Sequence, residues 1–569
     1  MEKRAVLAAV LMAGLLMLYQ FLFVKPPESP PQGSPDRKQA APVVPAAPGV
    51  PPVTQTAIPV APIETPTVPE RKAVVETPLY RAVIDSRGAR FAEWTLHYRG
   101  EKPMVVGREL GPAGVMVSRP GAAAQPIAFT LSDESLKLGK DAPQGELTLV
   151  GEDGFGLRIT ETLRFRADSY VVEHEIKVTN RHSAAQTAEI QLPWTAPVTW
   201  PKERTEAFSG QHPTQVVRFT DGRVHRSLDL ASVQRYSDAG RWVGVESTWY
   251  LAAFIAYSPG IKVTEETKRA ETSAGAAKPI ETVEIGLHAT LPLLKPGDQW
   301  EGRAATYVGP MEYDRLKALG VGLEQSIWFG EFPLPERFIG VRLLPMDWIA
   351  VPILWLMHRF HDYVPNYGLA IIFLTVITKV LFFPLTIKSM TSMKAMQALQ
   401  PQINSLRSKY KSDPQRMQQE TMALYRAHHV NPLGGCLPMV VQIPIFYALY
   451  VALSVSVELQ NQPFVCFGRL FGVDLWICDL AAHDPTYVLP LLMGASMFVQ
   501  QKITPVMGDP RQAKMMLFMP ILFTFMFLNL PSGLVLYWTL SNVLQIAQQK
   551  YMEQRGKVEK VPARAPKKA

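Results

Sequence analysis

Five apolar runs crowd one stretch of this chain, at 367–387, 437–457, 487–503, 515–530 and 533–550. About 20 apolar residues in a helix cover the ~30 Å hydrocarbon layer of a bilayer. Run 515–530 is short, at ~24 Å, and expects local thinning of the membrane. A sixth run, 5–24, lies between Lys3-Arg4 and Lys25. It is longer than the apolar core of a secretory signal and lacks a small-x-small cleavage site, so it reads as an uncleaved anchor. Run 348–357 is too short to span and ends in His358-Arg359-Phe360-His361-Asp362, the pattern of an interfacial helix.

The rest of the chain has a different period. Residues 26–74 hold 14 prolines in 49 positions and read as an extended linker. From 75 to about 325, segments such as 157–165, 170–178 and 282–291 alternate apolar and polar residues. Gly, Pro, Asp and Asn separate them, as expected of half-buried antiparallel strands in a large β-sandwich, with a helical stretch near 313–319. An apolar share of 47% excludes a fully disordered chain, and three cysteines exclude a disulfide scaffold.

Charge orients the spans. Loop 388–432 carries seven Lys or Arg and the tail after Tyr551 carries six, whereas 458–484 carries only Arg469 beside several acids. Excess Lys and Arg stays cytoplasmic. Both termini and loop 388–432 are therefore expected inside and the β domain outside.

No motif argues for catalysis. There is no phosphate-cradling Gly-rich loop and no Cys-x-x-Cys pair. His174-Glu175 has Val178 where a zinc-protease helix needs its second histidine, and it reads as strand. His428 and His429 are neighbours that cannot share a helix face, so they read as solvated. Neither a metal nor a cofactor is expected. Cys466 and Cys478 both fall in the external loop, where a disulfide can persist; two separate thiols are the competing reading.

Lys379 is the exception within the spans. It lies nine residues before Lys388, ~13 Å along a helix, farther than a lysine stem can snorkel. A cation at that depth costs at least ~2.5–3.5 kcal/mol and needs water or partners. Thr375, Thr378, Lys379, Phe382 and Thr386 recur at helical spacing. Pro384 should leave the carbonyl of Val380 bare. Tyr537, Ser541, Gln545 and Gln548 stripe the last span, and Gln442 adds an amide to another. These polar faces can enclose a wet groove that attracts acidic chain segments; an interhelical hydrogen-bond cluster is the plainer reading.

Met515, Phe518, Met519, Phe523 and Met526 give the short span an adaptable apolar face suited to varied segments, or to lipid. Loop 388–432 reads as a basic helical hairpin, with Met390, Met393 and Met396 at spacing three and Ser412 or Asp413 capping a second helix from Pro414. Its charge suits RNA or anionic lipid.

Asn431-Pro-Leu-Gly-Gly-Cys-Leu-Pro438, Gln442-Ile-Pro-Ile-Phe446, Pro531-Ser-Gly-Leu-Val-Leu-Tyr537 and Ser541-Asn542 closely resemble the YidC/Alb/Oxa family of membrane insertases. The match is strong over 345–552, and the anchor, linker and β domain resemble the Gram-negative form more loosely. The resemblance implies a polytopic α-helical inner-membrane protein, an N-terminal anchor plus a five-helix core, with a large periplasmic antiparallel β-sandwich of supersandwich type. The expected parts are the anchor 1–25, the linker 26–74, the β domain 75–325, connecting and interfacial helices 326–364, the core 365–552 with hairpin 388–432, and the tail 553–569. The resemblance also implies a non-enzymatic insertase and chaperone with a hydrophilic groove open to cytoplasm and lipid. Its partners would be nascent membrane proteins, the Sec translocon, ribosome–nascent-chain complexes and anionic lipids, and no DNA. By position, Lys379 replaces the groove's usual arginine, and Thr375 and Tyr537 are groove or substrate-contact positions. Trp538 stands where bacterial relatives often carry a second tyrosine. A secondary transporter with Lys379 at its substrate site is the alternative, although the five spans show no inverted repeat. A third reading makes the β domain a sugar-binding module and the spans its anchor.

Overall fold

The structure is a computed structural model that describes residues 70–556 apart from 99, 107–110, 113, 120–121, 198–214, 228–234, 270–280, 334–342, 412, 431–436, 471–472 and 504–517. The expected anchor, nearly all of the linker, most of the basic tail, Ser412, Met515 and most of the Asn431–Pro438 motif lie outside the described residues.

Period-two segments become strands. Leu157–Arg166 buries every second residue, and its neighbours Gln144–Glu152 and Val171–Asn180 pair with it antiparallel. They belong to a nine-stranded sheet, which packs against a seven-stranded one. Rings of Trp194 and Phe254 meet between these sheets at 5.8 Å. A five-stranded sheet adds Phe91 against His174 at 6.2 Å. Lys72–Glu76 beside Ser135–Lys137 is a parallel pair in an otherwise antiparallel system.

The strands bring buried charges together. His174, in mid-strand, contacts Glu161 at 2.7 Å and Thr306 at 2.8 Å, and all three are buried. Arg218 and Glu265 form an ion pair from one large sheet to the other. Glu246 is wholly buried beside Gln215 at 2.7 Å and Arg226 at 3.2 Å. Burial pushes its carboxyl up to about 7.

A short helix α1 (Tyr313–Ala318) leads toward α2 (Asp347–Tyr363). The sequence marked only 348–357 for α2, because the apolar run stops before its polar end does. Trp348 and Trp355, seven residues apart, are both exposed. His358 of α2 reaches Asp314 of α1 at 3.4 Å and faces Glu458 at 3.9 Å. Burial raises the Glu458 carboxyl, and Ser456 donates to it at 2.6 Å.

The first core run is not one helix. It divides into α3 (Tyr367–Leu381) and α4 (Phe383–Ala398), bent by 58°. Pro384 occupies the first turn of α4, where a missing N–H costs nothing because such donors are unpaired anyway. The amide of Phe382 donates to the carbonyls of Thr378 and Val380, so the Val380 carbonyl expected to be bare is covered. Asn366 starts α3: its side chain accepts from Leu369 N at 3.1 Å and donates to Phe464 O at 3.0 Å.

Next come α5 (Gln400–Lys409), α6 (Pro414–Ala427), α7 (Leu437–Val455), α8 (Val488–Ile503), α9 (Met519–Met526) and α10 (Ser532–Gly556). Helix α10 packs on both α8 and α3, and α8 packs on α9. A Cβ at Gly494 would collide with the Thr524 hydroxyl, so this glycine lets α8 and α9 touch. Among the described residues, no single helix is long and apolar enough to cross a membrane, although the bent pair α3–α4 passes that test together.

Candidate functional site

Lys379 sits in the last turn of α3, facing α10. Its Nζ donates to Gln545 Oε1 at 3.1 Å. Among the described residues, no carboxylate lies within 4.0 Å of it. A lysine held by one neutral amide keeps most of its hydrogen-bonding capacity for water or an incoming group.

Around it, α7 and α10 meet through side chains. Gln442 donates to Ser541 at 3.3 Å and lies 3.5 Å from the Tyr537 hydroxyl. Thr378, beside Lys379, donates its hydroxyl to Thr375 O at 2.8 Å. The Oε1 of Gln548, one turn beyond Gln545, is buried with no hydrogen-bond partner among the described residues. Three helices thus place Thr378, Lys379, Gln442, Tyr537, Ser541 and Gln545 in one polar cluster.

Its members differ in access. Thr375 is fully buried and donates to Ile371 O at 2.7 Å, so its hydroxyl is spent on its own helix. Tyr537 and Ser541 are also buried, whereas Thr378, Lys379, Gln442 and Gln545 are partly exposed. Thr386 belongs to α4 and back-bonds to Phe382 O at 3.0 Å. The break at Phe382 therefore interrupts the stripe expected to run from Thr375 to Thr386.

The apolar face on α9 is split too. Phe518, Ile521, Leu522, Phe525 and Met526 are exposed, and Met519 is partly so. Phe523 turns inward instead, its ring 5.6 Å from Phe527 and 6.3 Å from Trp538. Trp538 also meets Phe446 edge-on at 4.5 Å, so it closes the bundle beside the polar cluster.

The chain that carries this arrangement has known relatives. Residues 72–356 match the family model for the YidC periplasmic domain, and 359–560 match that for the 60Kd inner membrane protein. The membrane protein insertase of Syntrophus aciditrophicus is 36% identical, over 98% of this chain and 100% of its own. That of Geobacter sulfurreducens is 38% identical, over 84% and 85%. The chain belongs to the YidC family of membrane protein insertases. The β-rich part is thus the family's periplasmic domain, joined to an inner-membrane helical part. A solved structure of an active YidC insertase is 18% identical, over 87% of this chain and 95% of that one; its TM-score of 0.35 is too low to weigh on the fold.

The two family matches meet inside α2, between residues 356 and 359. Outside the polar cluster, a disulfide with Cα atoms 4.6 Å apart joins Cys466, in the strand Val465–Leu470, to Cys478, just past the paired strand Val473–Ile477. In α4, Met396 is buried, and Met390 and Met393 are partly buried. Asp413 caps α6, accepting from Arg416 N at 3.0 Å. Among the described residues, no group of His, Cys, Asp or Glu could hold a metal. The link from His358 to Asp314 and Glu458 escaped the sequence reading; the only signal for it was a histidine at the polar end of an interfacial helix.

Proposed function

We propose that this chain inserts inner-membrane proteins and helps them fold and assemble, alone or with the Sec translocon, through a groove at Lys379 open to cytoplasm and lipid. The observation that carries this reading is Lys379 held, among the described residues, by Gln545 alone, at the meeting of α3, α7 and α10. A cation without an acid attracts acidic, hydrophilic segments and lowers the cost of moving them into the membrane. The client's apolar segment then partitions into lipid, and the membrane potential acts on charged residues that cross. No covalent step is needed.

The loop charges favour both termini and hairpin 388–432 in the cytoplasm and the β domain in the periplasm. On that topology, the basic hairpin and tail are the surfaces for ribosome–nascent-chain complexes and anionic lipid. The exposed side of α9 is the apolar surface for the client. The limits 1–25, 26–74, 75–325, 326–364, 365–552 and 553–569 complete this reading.

Liposomes holding only the purified protein test it. A single-span client with an acidic tail should become protease-protected above the empty-liposome background. No gain would remove the autonomous insertase, and ion flux in the same liposomes would then favour a transporter with Lys379 at its substrate site.

A further inference from the structure

A cleft of about 300 Å³ separates α1 from α2. Tyr313, Asp314 and Lys317 form one wall, and Val351, Leu354, Trp355 and His358 form the other. This is at the small end of ligand sites, which span about 300–1,000 Å³, and suits a compact polar group. The cleft joins the periplasmic domain to the helix that immediately precedes the core, and neither the groove nor the client surface uses it.

Its walls carry one charge of each sign that are not paired with each other. The Asp314 side chain is 67% exposed and meets His358 through one oxygen, Oδ2, at 3.4 Å. Lys317 makes no ion pair among the described residues, and its Nζ rests 5.6 Å from the Tyr313 ring. An anion-plus-cation lip above an apolar floor suits a zwitterion whose tail is hydrocarbon.

The remaining wall says where that ligand resides. Trp355 is 57% exposed and shares a helix face with Trp348, 64% exposed. Exposed tryptophans on one face of an amphipathic helix sit at the level of lipid headgroups. Helix α2 ends at Tyr363 and α3 starts at Tyr367, so the cleft opens beside the membrane part of the chain.

We propose that the cleft between α1 and α2 binds the headgroup of a zwitterionic aminophospholipid, its phosphate on Lys317, its ammonium on Asp314 and its upper acyl carbons over Trp355. Phosphatidylethanolamine fits and phosphatidylcholine does not. A primary ammonium donates hydrogen bonds to a carboxylate, whereas a choline group donates none and relies on aromatic faces. Here the Tyr313 ring is already taken by Lys317, which leaves only Trp355. An anionic headgroup would meet Lys317 but face Asp314 with like charge. Placement of the cleft at the outer leaflet rests on the topology proposed above; the contacts do not.

Native mass spectrometry of the full chain tests this, after exchange into an equimolar mixture of phosphatidylethanolamine, phosphatidylcholine and phosphatidylglycerol. Retained phosphatidylethanolamine should exceed phosphatidylcholine by about fivefold, a ratio that one partly exposed ammonium–carboxylate pair can supply, the phosphate on Lys317 being common to both lipids. Asp314→Asn with Lys317→Gln should abolish the excess, while Lys317→Arg keeps it. Both side chains are exposed, and thermal unfolding of the β domain checks that the variants fold. Equal retention of the two lipids by the native chain overturns the proposal, as does an excess unchanged in the double variant or a preference for phosphatidylglycerol. Binding of soluble phosphoethanolamine as tightly as the lipid would remove the membrane as its source.

Discussion

In the periplasmic domain, buried Glu265 meets Arg218, and buried Glu246 meets Arg226 at 3.2 Å. In the helical core, Lys379 meets one neutral amide at 3.1 Å. Both regions take charge out of water, but only the first supplies the countercharge. A buried charge without its partner is strongly destabilising, and a paired one is close to neutral for stability. The β domain is therefore arranged for a fixed fold. Under the proposed function, the core holds a charge whose partner would be an acidic segment of the client.

The largest effect should come from giving Lys379 the opposite sign. Lys379→Glu is expected to reduce insertion of clients with acidic translocated tails by about tenfold or more, since a charge at this depth is worth at least ~2.5 kcal/mol. Lys379→Arg should insert normally. Protease protection in liposomes reads both, and equal insertion by native protein and Lys379→Glu would break the contrast between the two regions.

Next in size is the opposite experiment. Arg218→Ala removes this ion pair from buried Glu265 and should cost the β domain about 3 kcal/mol, seen as a lower unfolding temperature. Insertion below that temperature should stay near normal. A parallel loss of insertion would mean that the two regions are not separable in this way.

A smaller effect distinguishes Glu246 from the other pair. Burial raises its carboxyl from 4.5 to about 7, despite Arg226 and Gln215. A carboxyl raised on folding favours the folded state fully below the lower value, and that stability is lost as pH rises through the higher one. The β domain should therefore lose stability between about 4.5 and 7 from this group, and Glu246→Gln should flatten that slope. Thermal unfolding across the window checks it; an unchanged slope would mean that Arg226 holds the carboxylate charged.

Much of this contrast was legible in the residues. Alternation gave strands 157–165 and 170–178, because one face of each must be apolar. The helical spacing of Tyr537, Ser541 and Gln545 follows from counting along one helix; the ~13 Å counted from Lys379 to Lys388 does not, because the break at Phe382 lies between them. Pairing across the sheets did not follow. His174 meets Thr306, 132 residues away, through a register set by turns and packing. The disulfide stayed open for the same reason: a separation of 12 residues says nothing about how two strands face each other. The break at Phe382 was hidden because Pro384 can either remove one bond within a helix or begin a new helix. Only the packing of α3 against α10 and of α4 against α7 decides between these.

The hairpin offers the smallest test. Asp413 caps α6 through Arg416 N at 3.0 Å, and α6 has few buried side chains to hold it. Asp413→Ala removes the acceptor for the Arg416 N–H in the first turn of α6 and should cost that helix about 1 kcal/mol. Hydrogen exchange over 414–420 should accelerate by about fivefold, while the β domain and α10 exchange as before. Insertion of a client released from the ribosome should not change, because Lys379 and Gln545 are untouched. Insertion coupled to translation should fall if the hairpin receives the ribosome. Equal insertion in both modes, with the faster exchange confirmed, would remove an ordered α6 from the receiving surface and leave its basic charge as the only contribution of the hairpin.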